Sequence, residues 1–212
     1  MWIGVQIAAM LTMLIDHVGY LFFKEEQLFR WIGRIAFPLY TFGIVIGNRH
    51  TSDRKKYVRR LFLLALLSQL PFMLAFRTYE LNVIFTLIFS LLTLWALDHY
   101  RSPVARTIVV ACILFVTFVV PMDYGWYGVI LTLIYRYTEK GQMIWSHLVL
   151  NVFYCLLAWN YIQMFSILPT VFIAYWPQWL QRGRKAVPVW LWRSFYPAHL
   201  AVLGVLYLVI TY

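Results

Sequence analysis

The sequence predicts an all-α, polytopic transmembrane helix bundle of about nine spans, with eight and ten as the adjoining counts. Three observations carry this expectation. Only 12% of the 212 residues are charged, roughly half the share of an average soluble domain. Apolar runs of about 20 residues, the length that crosses a bilayer as a helix, recur along the chain. The 18 Lys and Arg residues gather mainly in alternate loops, as cytoplasmic loops require. No soluble stretch or long linker interrupts the runs, so residues 1–212 read as one integral-membrane domain.

The first predicted helix covers about Trp2 to Phe23, and a short turn, Lys24 to Leu28, joins it to a second, Phe29 to Gly47. The most basic loop follows, Asn48 to Arg60, and leads to a third helix, Leu61 to Phe76. Arg77, Thr78, Tyr79 and Glu80 form a polar link to the fourth, Leu81 to Leu97. A loop with Asp98, His99, Arg101 and Arg106 precedes a fifth helix that ends near Pro121. The sixth, Tyr124 to Tyr137, is short for a full crossing. The seventh runs from Ile144 to Trp159, the eighth from Tyr161 to about Trp176, and the ninth from about Arg193 to Tyr212.

Arg49 to Arg60, Arg101 with Arg106, Arg136 with Lys140, and Arg182 to Arg193 share one side in this scheme; Lys24, Arg30 and Arg77 take the other. The bias puts the N-terminus in the cytoplasm and the C-terminus outside. The first apolar run has no basic region before it and continues to Phe23, so no cleavable signal peptide is expected. The net charge of +10 does not imply nucleic acid, because the charges sit in short loops between apolar runs; anionic lipid and anionic cofactors explain them better. Cys112 and Cys155 both lie in apolar runs, which suggests packing rather than a disulfide or a metal site.

The stretch Leu14-Ile15-Asp16-His17-Val18-Gly19-Tyr20 stands out. An ionisable residue inside a membrane costs roughly 2.5–3.5 kcal/mol on insertion scales, and here are two adjacent ones. His17 continues a stripe through Gln6, Met10 and Met13 that can face the bundle interior. Asp16 lies about 100° around the helix from His17 and needs a partner elsewhere. The turn after the first helix is centred near residue 26, so Arg34 should sit at similar depth in the outer half of the membrane. Read functionally, His17 is a general base that Asp16 or Arg34 tunes and orients; read structurally, Asp16 and Arg34 lock a hairpin and His17 is satisfied by a carbonyl. Arg77, Glu80, Asn82, Asp123 and Tyr124 cluster on the same outer side. With Arg34 they make a candidate acceptor pocket, although Asn82 and Thr86 serve equally as helix–helix hydrogen bonds.

On the inner side, Arg59, Arg60 and Arg193 are positive-inside signals or ligands for the phosphates of a nucleotide cofactor. His50 at the inner end of the second helix is a weaker candidate for the same site. His199, a further candidate for the cofactor site, is expected nearer the inner half, below His17, unless Pro197 kinks its helix. His147 and His99 read as interfacial or loop residues. No Gly-rich phosphate loop, Cys/His zinc spacing or Gly-x-Ser-x-Gly motif is present, and no serine neighbours His17 as a nucleophile. Direct transfer between two bound substrates is the simplest chemistry for such a set.

Several short motifs, in order, resemble the TraX family of bacterial membrane proteins: Ile15-Asp16-His17-Val18-Gly19, Gly33-Arg34-Ile35-Ala36-Phe37-Pro38, His50-Thr51 with Tyr57, and Arg59-Arg60-Leu61. Further on come Leu81-Asn82-Val83-Ile84-Phe85-Thr86, Asp123-Tyr124-Gly125-Trp126-Tyr127-Gly128 and Phe195-Tyr196-Pro197-Ala198-His199-Leu200. Residues 140 to 190 show little that matches. The resemblance implies N-terminal acetylation of conjugative pilin, a relation to the acyltransferase type 3 membrane superfamily, acetyl-CoA as donor and a place in the bacterial cytoplasmic membrane. It implies His17 as the base and Arg34 or Tyr124 as the oxyanion stabiliser. Another peptide, a small amine and a sugar hydroxyl remain alternative acceptors. Two other function classes stay open at this point: a transporter with Asp16, His17 and Arg34 as a relay, and a non-catalytic membrane assembly factor.

Overall fold

In an apolar medium every backbone N–H and C=O must find an internal partner, and this chain meets the requirement with helices. The structure is a computed structural model and describes residues 3–176 and 187–211. The expected loop residues Arg182, Arg184 and Lys185 lie outside the described residues, as do Trp2 and Tyr212 at the expected helix ends.

The elements are α1 (Ile3–Phe22), α2 (Gln27–Gly33), α3 (Ala36–His50), α4 (Arg54–Phe76), α5 (Val83–His99), α6 (Pro103–Val119), α7 (Gly125–Tyr137), α8 (Lys140–Ala158), a 3-10 segment (Tyr161–Ser166), α9 (Ile167–Tyr175) and α10 (Val189–Thr211). Taken with α2–α3 as one rod and the 3-10 segment with α9 as another, the described residues form nine helical rods in the expected order. Five of these are long and apolar enough to cross a membrane alone: α1, α2–α3, α4, α8 and α10. Helix α5, helix α6 and the rod from Tyr161 to Tyr175 are shorter and apolar. Helix α7, at 13 residues, spans only about 20 Å.

Local chemistry explains the boundaries. Asp53 caps α4 by accepting from the Lys56 N–H at 2.8 Å; Asn82 caps α5 through Ile84 at 3.0 Å, and Ser102 caps α6 ahead of Pro103. Each side-chain oxygen satisfies a donor that the first helical turn leaves orphaned. The Asp53 cap corrects one expectation. The basic stretch is not a loop down to Arg60: α3 continues through His50, only residues 51–53 are non-helical, and Arg54 to Arg60 form the first two turns of α4. Lys and Arg are good helix formers, and their long stems let charged heads leave the apolar surface. Helix α10 likewise starts before Arg193 and continues through Pro197.

Two apolar cores flank the middle of the bundle. One gathers α3, α5 and α7 around Phe37, Val45, Leu91, Tyr127 and Leu131; the other gathers α1, α4 and α10 around Met13, Ala65, Ala75, Leu200 and Leu203. Helices α4 and α10 make the most extensive pairing, and Gly204 lies against the Ala75 backbone. Such small residues let helices approach where lipid removes the hydrophobic drive to associate. Leu63, Leu67 and Leu70 on α4, Phe115 and Phe118 on α6, and Val205 and Val209 on α10 face outward, as lipid-facing positions do.

Candidate functional site

The site begins with two glycines. A Cβ on Gly19 would collide with Phe29, and one on Gly33 with the Asp16 side chain. Their absence lets α1 close against α2, so that Asp16 reaches across the hairpin. Its carboxylate contacts Arg34 Nη2 at 3.2 and 3.3 Å and Arg30 Nη1 at 2.8 Å. The pair expected from the hairpin is therefore present, with Arg30 as an additional partner. Arg30 and Arg34 are four residues apart, which puts both on one helix face.

Arg34 is buried and makes two further contacts. Its Nη1 donates to the Tyr124 hydroxyl at 3.1 Å and to Gln163 Oε1 at 3.2 Å, while its buried Nε has no partner among the described residues. Backbone geometry holds Tyr124. The Leu81 N–H donates to Pro121 O and the Asp123 N–H to Leu81 O, a short bridge that ties the α4–α5 link to the segment before α7. Thr86 Oγ1 donates to Asp123 O at 2.6 Å. Tyr124 then takes a left-handed φ of 63°, and its ring stacks on Phe37 at 3.7 Å. The Asp123 carboxylate has no hydrogen-bond partner among the described side chains; burial pushes it from 3.8 up to about 6, against the pull of Arg34.

His17 does not touch Asp16. Its Nδ1 lies 2.8 Å from His199 Nε2, with the rings stacked at 12°. The tautomers follow from one contact. His199 Nδ1 is 2.6 Å from the Phe195 carbonyl, which can only accept, so Nδ1 carries the proton and Nε2 of neutral His199 is bare. His17 Nδ1 must then donate to it, which leaves His17 Nε2 as a lone pair. No described residue hydrogen-bonds that atom, and His17 lines a cavity of about 890 Å³. His199 is thus beside His17 and not below it. It does not line the cavity, so the cofactor role given to it on depth has no geometric support.

The cavity joins the two sets of candidate residues. Asp16, His17, Arg34, Asp123 and Tyr124 line it together with His50, Arg60 and Arg193. Tyr57 lies between, its hydroxyl packed where a Cβ on Gly47 would stand. Arg59 and Asn82 also stay outside. Arg59 is exposed and does not contribute to the lining. Asn82 is fully buried; its Oδ1 accepts from Ile84 N, and its Nδ2 donates to Ala65 O and Gln69 Oε1. Its polar atoms are committed to capping α5 and to hydrogen bonds with α4, the helix–helix alternative expected for this residue.

Other site residues were not visible from sequence. Gln163 is a single amide in an apolar run, with no spacing signal to mark it. His147, expected at an interface, is fully buried; its Nε2 is 2.8 Å from the Tyr127 hydroxyl and its Nδ1 2.6 Å from Thr170 Oγ1. His147 shares the buried face of α8 with Met143, Leu150, Asn151 and Cys155, at spacings of three and four residues. Among the described residues no group of three or more His, Cys, Asp or Glu side chains could hold a metal ion.

Comparison with known proteins adds three findings. A family description, TraX protein, matches residues 4–207. A probable fimbrial assembly protein, FimC of Dichelobacter nodosus, is 26% identical over 229 residues, covering 93% of this chain and 92% of its own. No solved structure matches. The family match begins in α1, takes in every residue that lines the cavity and ends in α10, and the chain belongs to the TraX family.

Proposed function

We propose that this protein is a membrane-embedded acetyltransferase that moves an acetyl group from cytoplasmic acetyl-CoA to an amine at or beyond the bacterial cytoplasmic membrane. The observation that carries the reading is the single cavity that runs from His50, Arg60 and Arg193 to the bare Nε2 of His17. Its volume falls in the range of small-molecule sites. The basic end suits the phosphates of the donor, and the apolar middle suits its pantetheine arm. Here acetyl-CoA is a substrate, and the residues at the far end supply the chemistry.

His17 Nε2 takes a proton from the attacking amine as the nitrogen forms its bond to the thioester carbonyl carbon. The Arg34 guanidinium, which lines the cavity beside Tyr124, stabilises the oxygen that gains charge. The carbon–sulfur bond then breaks, and the proton held by His17 goes to the departing sulfur. The products are an acetylated amine and a free thiol. Asp123, an unpaired carboxylate in the same cavity, receives the acceptor as an ammonium ion and takes its first proton, which it then releases to water, so that the amine is neutral when it attacks.

TraX family membership supports a pilin N-terminus as acceptor, and the name of the relative, a probable fimbrial assembly protein, points to the same class of substrate. That name also favours a second reading, a non-catalytic factor that packs against pilin subunits. Incubation of the purified protein with isotopically labelled acetyl-CoA and a pilin N-terminal peptide separates the two. Mass spectrometry is expected to show an acetyl group on the peptide α-amine. Peptide binding without any acetylated product sinks the enzyme reading.

A further inference from the structure

Arg34 donates but never accepts, so its acceptors decide where the guanidinium points. Two of them, Asp16 and Tyr124, line the cavity. The third, Gln163, approaches from behind. It lies on the 3-10 segment, is 1% exposed and does not line the cavity. Because Arg34 can only donate, Gln163 must turn Oε1 toward it, at 3.2 Å. Its Nε2 is then fixed toward the Tyr127 hydroxyl, to which it donates at 2.9 Å. Tyr127 donates in turn to Asn151 Oδ1 at 2.8 Å, and His147 and Thr170 continue the network. Tyr127, His147, Asn151 and Thr170 are fully buried and away from the cavity. The network does not line the cavity, yet one end of it grips a guanidinium that does.

We propose that Gln163 is a positioning residue: it holds the Arg34 guanidinium in the orientation in which it lines the cavity and faces the reacting carbonyl. The proposal rests on the acetyl-transfer reading above. A satisfied buried network holds a fixed geometry because any rotation leaves a buried group unpaired. Asp16 and Tyr124 alone leave the guanidinium open on the side where Gln163 now sits.

The test compares variants of the purified full chain for kcat and KM with acetyl-CoA. Gln163→Met keeps the volume and removes both polar atoms. It is expected to lower kcat by about 10-fold to 100-fold, the scale for a misplaced oxyanion donor, with KM for acetyl-CoA unchanged. Gln163→Glu still accepts from Arg34 and is expected to recover most of kcat. Ser166→Ala perturbs the same network at Tyr127 and Asn151 without touching Arg34, and is expected to stay near wild type. If Gln163→Met does not fold, Gln163→Asn replaces it, since the shorter amide cannot reach Arg34 and the same loss is expected. Equal losses in the Gln163 and Ser166 variants, no recovery with Gln163→Glu, or undiminished kcat in Gln163→Met overturns the proposal alone. Absence of transfer by the wild-type protein removes the acetyl-transfer reading and this proposal with it.

Discussion

His17 Nδ1 and His199 Nε2 lie 2.8 Å apart and join α1 to α10 across 182 residues of sequence. The Phe195 carbonyl starts a one-way line of donors: it accepts from His199, which accepts from His17, so the proton-free nitrogen ends up at the cavity.

This line predicts different losses at its two histidines. His17→Ala removes the base itself, and kcat is expected to fall roughly 10²-fold to 10⁴-fold. His199→Phe keeps ring volume but removes the acceptor, so His17 is free to rotate or change tautomer. A smaller loss in kcat, about tenfold, is expected on the same general-base scale, without a change in KM for acetyl-CoA. Steady-state kinetics on both variants checks this; a changed KM with unchanged kcat in His199→Phe contradicts the orienting role.

The Asp16–Arg34 contact predicts stability effects. Asp16→Ala leaves the buried Arg34 without its carboxylate, and truncating one partner of a buried ion pair costs about 3–5 kcal/mol. Gly33→Ala forces a methyl group into the Asp16 side chain, an overpacking worth about 1–3 kcal/mol. Thermal unfolding in detergent should rank wild type above Gly33→Ala and Gly33→Ala above Asp16→Ala.

Asp123 predicts a pH dependence with a definite sign. Burial raises its carboxyl to about 6, so it is ionised above that pH and neutral below it. Only the ionised form attracts an ammonium ion. KM for a peptide amine is therefore expected to rise as pH falls through about 6 and to level off above it. Asp123→Asn should hold KM at the low-pH value at every pH, so that it exceeds wild type only above about pH 6 and the slope disappears. A slope that persists in Asp123→Asn assigns the titration to another group.

The basic mouth predicts a contrast between neighbours. Arg60 and Arg193 line the cavity, whereas Arg59 points away from it. Arg60→Ala and Arg193→Ala are each expected to raise KM for acetyl-CoA about tenfold, the value of one charge-assisted hydrogen bond. Arg59→Ala should leave it unchanged. Equal effects at Arg59 and Arg60 would mean that general positive charge, and not the cavity wall, attracts the donor.

The sequence by itself determined the all-helical class, the order of the rods and the Asp16–Arg34 pair. These depend on local properties: the length of an apolar run, the position of a short turn, and the fact that a hairpin brings equidistant residues to one depth. Tertiary structure decided the rest. His199 reaches His17, Gln163 reaches Arg34, and Arg60 enters the cavity while Arg59 does not, because each depends on how a helix is rotated about its own axis against neighbours far away in the chain. Apolar composition on nearly every face of these helices leaves that rotation unmarked in the sequence. His147 and Asn82 show the same physics in reverse, since packing closed over polar residues that looked exposed or available, and only their hydrogen-bond partners explain why.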